Sequence, residues 1–291
     1  MFKLTCRYTH QGVFVADKGN VFITGAATGI GAATTDQLVR SGYRVFAGVH
    51  QQSGSLAGAR GIRTVPIDVT DPAGVLAAAK DVQEEVGSQG LRAVINNAGV
   101  IVQGPLELVP PDELRRQFEI NTLGPVHVVQ AFLPLLRSGH GRIINISAPT
   151  ARVPIPFMAP VGASKAALAS FSDALRLELA AWDIPVVVIE PGGTDTAIFG
   201  KAEAATQNAL AAADPAKVAS YSDQLAAVAK AGAKQKLGPA EPVARAIVTA
   251  VHARKPKRHY SAGSGVAIFG MLAHLPAGLR ERLVKSVFGL G

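Results

Sequence analysis

Three glycines at fixed spacing carry the first chemical signal in this chain. Gly25, Gly29 and Gly31 form a G-x-x-x-G-x-G run between the apolar stretch Val21-Phe22-Ile23-Thr24 and an amphipathic segment that stops at Ser41-Gly42. Glycine lets backbone N–H groups approach an anion closely, and the first N–H groups of a helix favour negative charge. In a strand–turn–helix context the run suits a pyrophosphate. A tight turn without a ligand is the alternative at this point.

The elements that must position this turn follow from hydrophobic periodicity. Predicted strands are Val21–Thr24, Tyr43–Val49, Arg63–Ile67, Leu91–Asn96, Arg142–Ser147, Ile184–Glu190 and a short one at His259–Ala262. Between them lie predicted helices: one ending at Ser41, then Pro72–Val86, Pro111–Leu136 (loosened around Gly124-Pro125 and Pro134), Ala163–Trp182 and Pro242–Arg254. Asp71 caps the Pro72 helix and Pro72 takes its first position, where a missing N–H costs nothing. Apolar strands alternating with amphipathic helices predict a doubly wound α/β fold, Rossmann-like, with a mainly parallel sheet covered on both faces. One domain is expected over residues 19–262, with an Ala-rich excursion at 197–240 broken at Asp214-Pro215. Residues 1–18 form an N-terminal extension, either a β-hairpin or a frayed end, and 263–291 a basic and apolar tail.

Composition narrows the class. The 291 residues carry a formal net charge of +8, yet residues 21–251 hold 19 basic and 19 acidic side chains. The excess sits at the ends: Arg254, Lys255, Lys257, Arg258, Arg280, Arg282 and Lys285 face only Glu281 in the last forty residues. A neutral body excludes a nucleic-acid partner of the usual basic kind. A hydrophobic share of 48% supports a packed core, and the single cysteine, Cys6, excludes an internal disulfide framework or cysteine-based metal cluster. No metal is expected. Residues 1–17 lack the unbroken apolar stretch of a secretory signal, and no apolar run approaches membrane-spanning length; the expected location is cytoplasmic.

The motifs in sequence order make the glycine turn specific. Thr24-Gly25-Ala26-Ala27-Thr28-Gly29-Ile30-Gly31, Asp68-Val69, Asn96-Asn97-Ala98-Gly99, Asn121, Lys165 and Pro191-Gly192-Gly193-Thr194-Asp195-Thr196 together resemble the short-chain dehydrogenase/reductase superfamily, over residues 19–262. The C-terminal part is most similar to the branch containing retinol and hydroxysteroid dehydrogenases. The resemblance implies a bound nicotinamide dinucleotide. Gly25, Thr28, Gly29, Ile30 and Gly31 would hold its pyrophosphate side, Asp68 and Val69 would flank the adenine, and Asn97, Ala98 and Gly99 would pass the adenine ribose. It further implies that Lys165 bonds the nicotinamide ribose and that Pro191, Gly192, Thr194 and Thr196 lie near the carboxamide. A carboxylate at the end of the second strand favours NAD and a cation NADP. Here Gly48-Val49-His50-Gln51-Gln52-Ser53 offers neither an acid nor Arg or Lys; His50 can donate to a phosphate, so NADP is favoured over NAD.

The same resemblance breaks where the chemistry should be. The family joins Asn, Ser, Tyr and Lys, with the tyrosine opening a Y-x-x-x-K motif whose spacing shares one helical face. Asn121 and Lys165 are the retained members. Valine stands at the tyrosine position, Val161, and alanine at the serine position, Ala148. Neither can donate a proton or a hydrogen bond. General acid catalysis is worth ~10²–10⁴ and one oxyanion donor ~10²–10³, non-additively, so the expected combined deficit is roughly 10³–10⁶ in rate. Ser147, Thr150, Ser164, Tyr221 and His140 are the nearby polar candidates, and each has a more ordinary reading as a turn, helix-surface or loop residue.

Three functional readings follow. The first is an atypical NAD(P)-dependent oxidoreductase acting on a carbonyl or hydroxyl of a fairly apolar small molecule, with a donor carried by the substrate itself. The second is a non-redox cyclase, isomerase or lyase on the same fold. The third is a cofactor-binding pseudoenzyme or the silent partner of an active paralogue. The family implies a homo-oligomer, dimer or tetramer, paired through helices at about 111–136 and 158–182, and a hetero-oligomer is compatible. The tail at 263–291 is read first as a cap near the substrate cleft and second as a membrane-surface contact.

Overall fold

The computed structural model describes residues 18–50, 56 and 59–290. The N-terminal hairpin considered above and Gln51-Gln52-Ser53 lie outside those residues. In chain order the elements are β1 (Asn20–Thr24), α1 (Gly29–Arg40), β2 (Arg44–Val49), β3 (Ile62–Pro66), α2 (Pro72–Val86), β4 (Ala93–Asn96), α3 (Pro111–Phe118), α4 (Gly124–Ser138) and β5 (Ile143–Ile146). Then follow α5 (Ala159–Glu178), β6 (Val186–Pro191), α6 (Ala197–Ala212), α7 (Pro215–Ser220), α8 (Ser222–Ala233), α9 (Glu241–His252), β7 (His259–Ala262), α10 (Val266–Ala273) and α11 (Ala277–Phe288).

All seven strands are parallel, in the order β3-β2-β1-β4-β5-β6-β7. This is the Rossmann-like arrangement, with chain direction across the sheet reversing between β1 and β4. In open α/β sheets ligands bind beyond the carboxyl ends of the strands at such a switch point.

Alternation along β1 sorts its side chains to two cores. Phe22 points into the layer holding Val75, Val82, Phe132 and Leu136 of α2 and α4. Val21 and Ile23 point the other way, toward Leu38 of α1 and Val243, Ile247 and Val251 of α9. Phe22 and Phe132 stack at 4.1 Å, an arrangement worth about 1 kcal/mol beyond the area buried. Polar atoms also cross the interior. Asn96 donates to Asn145 (2.8 Å), Asn145 donates to Ser172 (2.8 Å), and Ser172 donates to the Leu168 carbonyl (2.7 Å). That chain ties β4 and β5 to α5 and fixes the helix that carries Lys165.

Two expectations need correction. The helix expected at Ala163 begins at Ala159: Pro160 sits in its first turn, where proline starts a helix rather than breaking one. The helical stretch from Pro111 is not merely loosened at Gly124-Pro125 but passes through a π turn at Glu119–Leu123, while Pro134 lies inside α4 without ending it. The α9 C-terminus also meets a buried cation. Arg142 donates to the carbonyls of Ala250 and Ala253, both at 2.6 Å, whereas Arg254 and Lys255 are exposed. Burial pulls the Arg142 guanidinium down to about 10.

Candidate functional site

The glycine turn is built by close approach. Gly25 has φ +64°, and a Cβ there would stand 2.9 Å from Ala98 Cα. A Cβ on Gly31 would meet the Gly25 carbonyl at 2.1 Å, and one on Gly29, at φ +52°, would meet Thr196 Cγ2 at 2.7 Å. Only glycine fits these three places. Asn97 completes the turn: its Nδ2 donates to the Thr24 and Gly25 carbonyls, each at 3.0 Å. Thr24 Oγ1 accepts from the Asn97 and Ala98 N–H groups at 3.1 and 3.0 Å. Asn97 is thus a link between the ends of β1 and β4.

Beyond this turn lies a cleft of about 370 Å³. Its lining includes Gly25, Thr28, Gly29 and Ile30 on one side, Asn97, Ala98 and Gly99 at the floor, and Pro191, Gly192, Thr194 and Thr196 after β6. Thr28 stands before α1 in extended conformation and makes no capping bond, so the first N–H groups of that helix have no side-chain acceptor. An uncapped helix start in a glycine cradle suits an anionic pyrophosphate. The residues present therefore fit a dinucleotide.

Other expected residues stand apart from this lining. Gly31 is buried behind the turn. Val69 is packed in the core, and Gly124 is glycine because a Cβ there would lie 2.7 Å from Val69 Cγ2. Its side chain is not free to flank a ligand; only its backbone remains. His50 and Asp68 lie at the β2–β3 end, with Nδ1 and Oδ2 3.5 Å apart. Burial pushes the Asp68 carboxyl up, but two hydrogen bonds from Thr70 and the nearby His50 outweigh it and hold it below the ordinary range.

At the opposite end, Ala148 and Val161 both line the cleft beside Lys165. Lys165 Nζ donates to the Ile146 carbonyl at 2.7 Å, and full burial lowers it to about 8. Asn121 lies in the π turn, outside the lining. It accepts from the Val100 N–H and donates to the Val100 carbonyl, both at 2.9 Å. Gln117 accepts from the Val102 N–H at 2.7 Å and donates to the Val100 carbonyl at 3.1 Å. These two amides hold the 100–102 wall, and Gln117 had no signal in the sequence beyond its helical spacing to Asn121.

Of the five polar candidates, Ser147 alone lines the cleft. Ser147 Oγ is buried and donates to the Lys165 carbonyl (3.3 Å). Ser164 Oγ donates to the Val161 carbonyl and accepts from Gln117. Thr150 packs on Gly162, Tyr221 donates to Glu107, and His140 is exposed in its turn. The excursion covers the cleft from above: Ala197, Ile198, Phe199, Lys201 and Ala202 of α6 line it, as does Arg116 of α3. Neither Arg116 nor Lys201 was singled out from sequence, since a charged helix-surface residue looks alike wherever the helix packs. In the tail, α10 packs on the turn Pro149–Ala151 and α11 on α8.

A family model described as short chain dehydrogenase matches residues 19–207. The chain belongs to the short chain dehydrogenase family. It is 33% identical to human 17-beta-hydroxysteroid dehydrogenase type 2 over 99% of this chain and 80% of that protein. It is 37% identical to rat estradiol 17-beta-dehydrogenase 2 over 68% of this chain, and in that match spans about half the relative's length, 54%. Among solved structures, a short chain dehydrogenase from Burkholderia cenocepacia J2315 in complex with NADP superposes with a TM-score of 0.71, at 26% identity over 91% of this chain and 96% of that one. NAD(P) binding and oxidoreductase chemistry fit the family. Among the described residues, no helix is long and apolar enough to cross a membrane, and no group of acidic, histidine or cysteine side chains could hold a metal ion.

Proposed function

We propose that this chain is an atypical NAD(P)-dependent oxidoreductase acting on a carbonyl or hydroxyl of a fairly apolar small molecule. The observation that carries the reading is the pairing of an intact glycine cradle with Ala148 and Val161 in the same cleft. NADP is favoured over NAD by His50 and by the NADP held in the Burkholderia structure. When bound, the nicotinamide supplies or accepts a hydride. The uncapped start of α1 and the glycine turn bind the pyrophosphate. Lys165 stays close to Ile146 and Gly99 and orients the ribose, while Asn121 and Gln117 keep the 100–102 wall rigid. No side chain of this constellation delivers a proton to the substrate oxygen. A hydroxyl on the substrate beside the reacting carbon passes its proton to that oxygen and regains one from water, with the protein providing orientation.

Lost donors also support a pseudoenzyme, and one experiment separates the readings. NADP(H) and NAD(H) are titrated into the purified protein, and NADPH oxidation is followed with hydroxylated aromatic ketones and with plain ketones, beside an Ala148→Ser/Val161→Tyr variant. Turnover of the hydroxylated ketones by the native protein is expected. Binding without turnover, with activity only in the variant, overturns the enzyme reading in favour of a pseudoenzyme. Consumption of a ketone, followed by chromatography, that survives removal of the nucleotide means a non-redox cyclase, isomerase or lyase.

The proposal includes a homo-oligomer. Leu123, Phe171 and Leu177, on the helices expected to pair, are exposed; light scattering in solution tests this, and a monomer overturns it. It also includes a cytoplasmic location, testable by cell fractionation.

A further inference from the structure

The cleft is electrostatically one-sided. Among its lining residues are three cations, Arg116, Lys165 and Lys201, and no carboxylate, although the body of the chain is neutral. Lys165 is committed to the Ile146 carbonyl. The other two lie on facing helices. Glu113 of α3 and Ala202 of α6 line one small cavity between them, and Ala202 lines the main cleft as well. Arg116, one turn from Glu113, and Lys201, next to Ala202, thus line the main cleft from these two helices.

Their surroundings differ in a useful way. Glu113 binds Arg116 through Nε (3.0 Å) and a terminal nitrogen (2.6 Å), which fixes the guanidinium plane and leaves its other terminal nitrogen free of any bond to Glu113. Lys201 is exposed and makes no ion pair or hydrogen bond among the described residues. α6 itself is anchored, because Thr206 donates to the Gln103 carbonyl (3.2 Å) and Gln103 donates to Glu203 (3.4 Å). The pyrophosphate has its own donors at the start of α1, beyond the glycine turn. Arg116 instead comes from α3, and Val100, Ile101, Ile198 and Phe199 are apolar members of the same lining.

We propose that Arg116 and Lys201 form a subsite for a permanent anion on the substrate, a carboxylate, sulfonate or phosphate joined to an apolar body. This rests on the oxidoreductase reading for the name substrate, but its binding consequence does not need turnover. Two cations lining one cleft discriminate between an anion and its neutral analogue, and such discrimination weakens with salt.

Calorimetry of the full-length protein saturated with NADP tests it, using decanoate and decane sulfonate against decanol. The anions are expected to bind at least tenfold more tightly, with the advantage shrinking as salt rises from 50 to about 500 mM. Arg116→Gln/Lys201→Gln should erase the advantage, leave decanol unchanged, and leave the NADP titration within twofold. Circular dichroism checks that the variant is folded, and the salt series on the native protein stands without it. Equal affinities for decanoate and decanol overturn the proposal. So does a variant that loses NADP affinity while keeping the anion preference, since the cations then serve the cofactor. Anion preference without any ketone turnover leaves this subsite standing and sinks the oxidoreductase reading alone.

Discussion

The two ends of the cleft are built on opposite principles. At the glycine end the functional groups are backbone N–H donors, and the geometry is set by contacts that exclude any side chain at Gly25, Gly29 and Gly31. At the substrate end the functional groups must be side chains, and there Ala148 and Val161 present only carbon. A backbone-built site has few ways to change without collapsing, because each glycine is held by its neighbours. A side-chain site can lose its donors one substitution at a time while the fold persists. On the proposed reading, the difference lets a chain keep a nucleotide cradle while its proton donor is replaced.

The largest effect is expected where this contrast is reversed. Ala148→Ser/Val161→Tyr should raise reduction of ordinary ketones by roughly 10³-fold or more over the native protein, read from steady-state NADPH oxidation. Ala148 is extended and lines the cleft, so serine enters without strain. No gain over the native rate would mean that the substrate end differs by more than two side chains.

Lys165 joins the two ends, and its burial gives the next test. Its ammonium is lowered from 10.5 to about 8, so the unfolded chain binds more protons between those values. Stability contributed by this residue is therefore lowest below pH 8 and rises as pH goes from 8 to 10.5, by about 3 kcal/mol. Denaturant unfolding of the native protein and of Lys165→Met across pH 7–10 should show that rise in the native protein and a flatter profile in the variant. Parallel profiles would refute it.

Gly31→Ala probes the backbone end. Its Cβ has no room against the Gly25 carbonyl, so nucleotide affinity should fall about 100-fold while the far-UV spectrum stays native. Unchanged affinity would show that the turn tolerates displacement. The smallest effect belongs to the periphery: His50→Asp should shift the ratio of NADP to NAD affinity by only a few fold toward NAD, because His50 is exposed and already beside Asp68.

Much of the fold was legible in the sequence because its signals are local. Helix α2 appears where Asp71 and Pro72 place it, with the Asp71 carboxylate accepting from the Ala73 N–H, and β7 spans His259–Ala262 as expected. Pro160-Val161-Gly162 misled the boundary of α5, since proline and glycine read as breakers unless their position in the first turn is known. The π turn around Asn121 had no local signal. It depends on Gly124 approaching Val69 and on Asn121 reaching Val100, contacts between segments far apart in the chain.

By itself the sequence determined the doubly wound order of elements, the glycine turn that no larger residue can make, and the carbon-only residues at Ala148 and Val161. These follow from residue type and short-range spacing. Tertiary structure alone decided that Ala148 and Val161 open onto one cleft with Lys165, that a buried arginine serves the end of α9, and that Arg116 of α3 and Lys201 of α6 line that same cleft. Each depends on which faces of distant helices pack together, and that is settled by the sum of the core's contacts rather than by any stretch of chain.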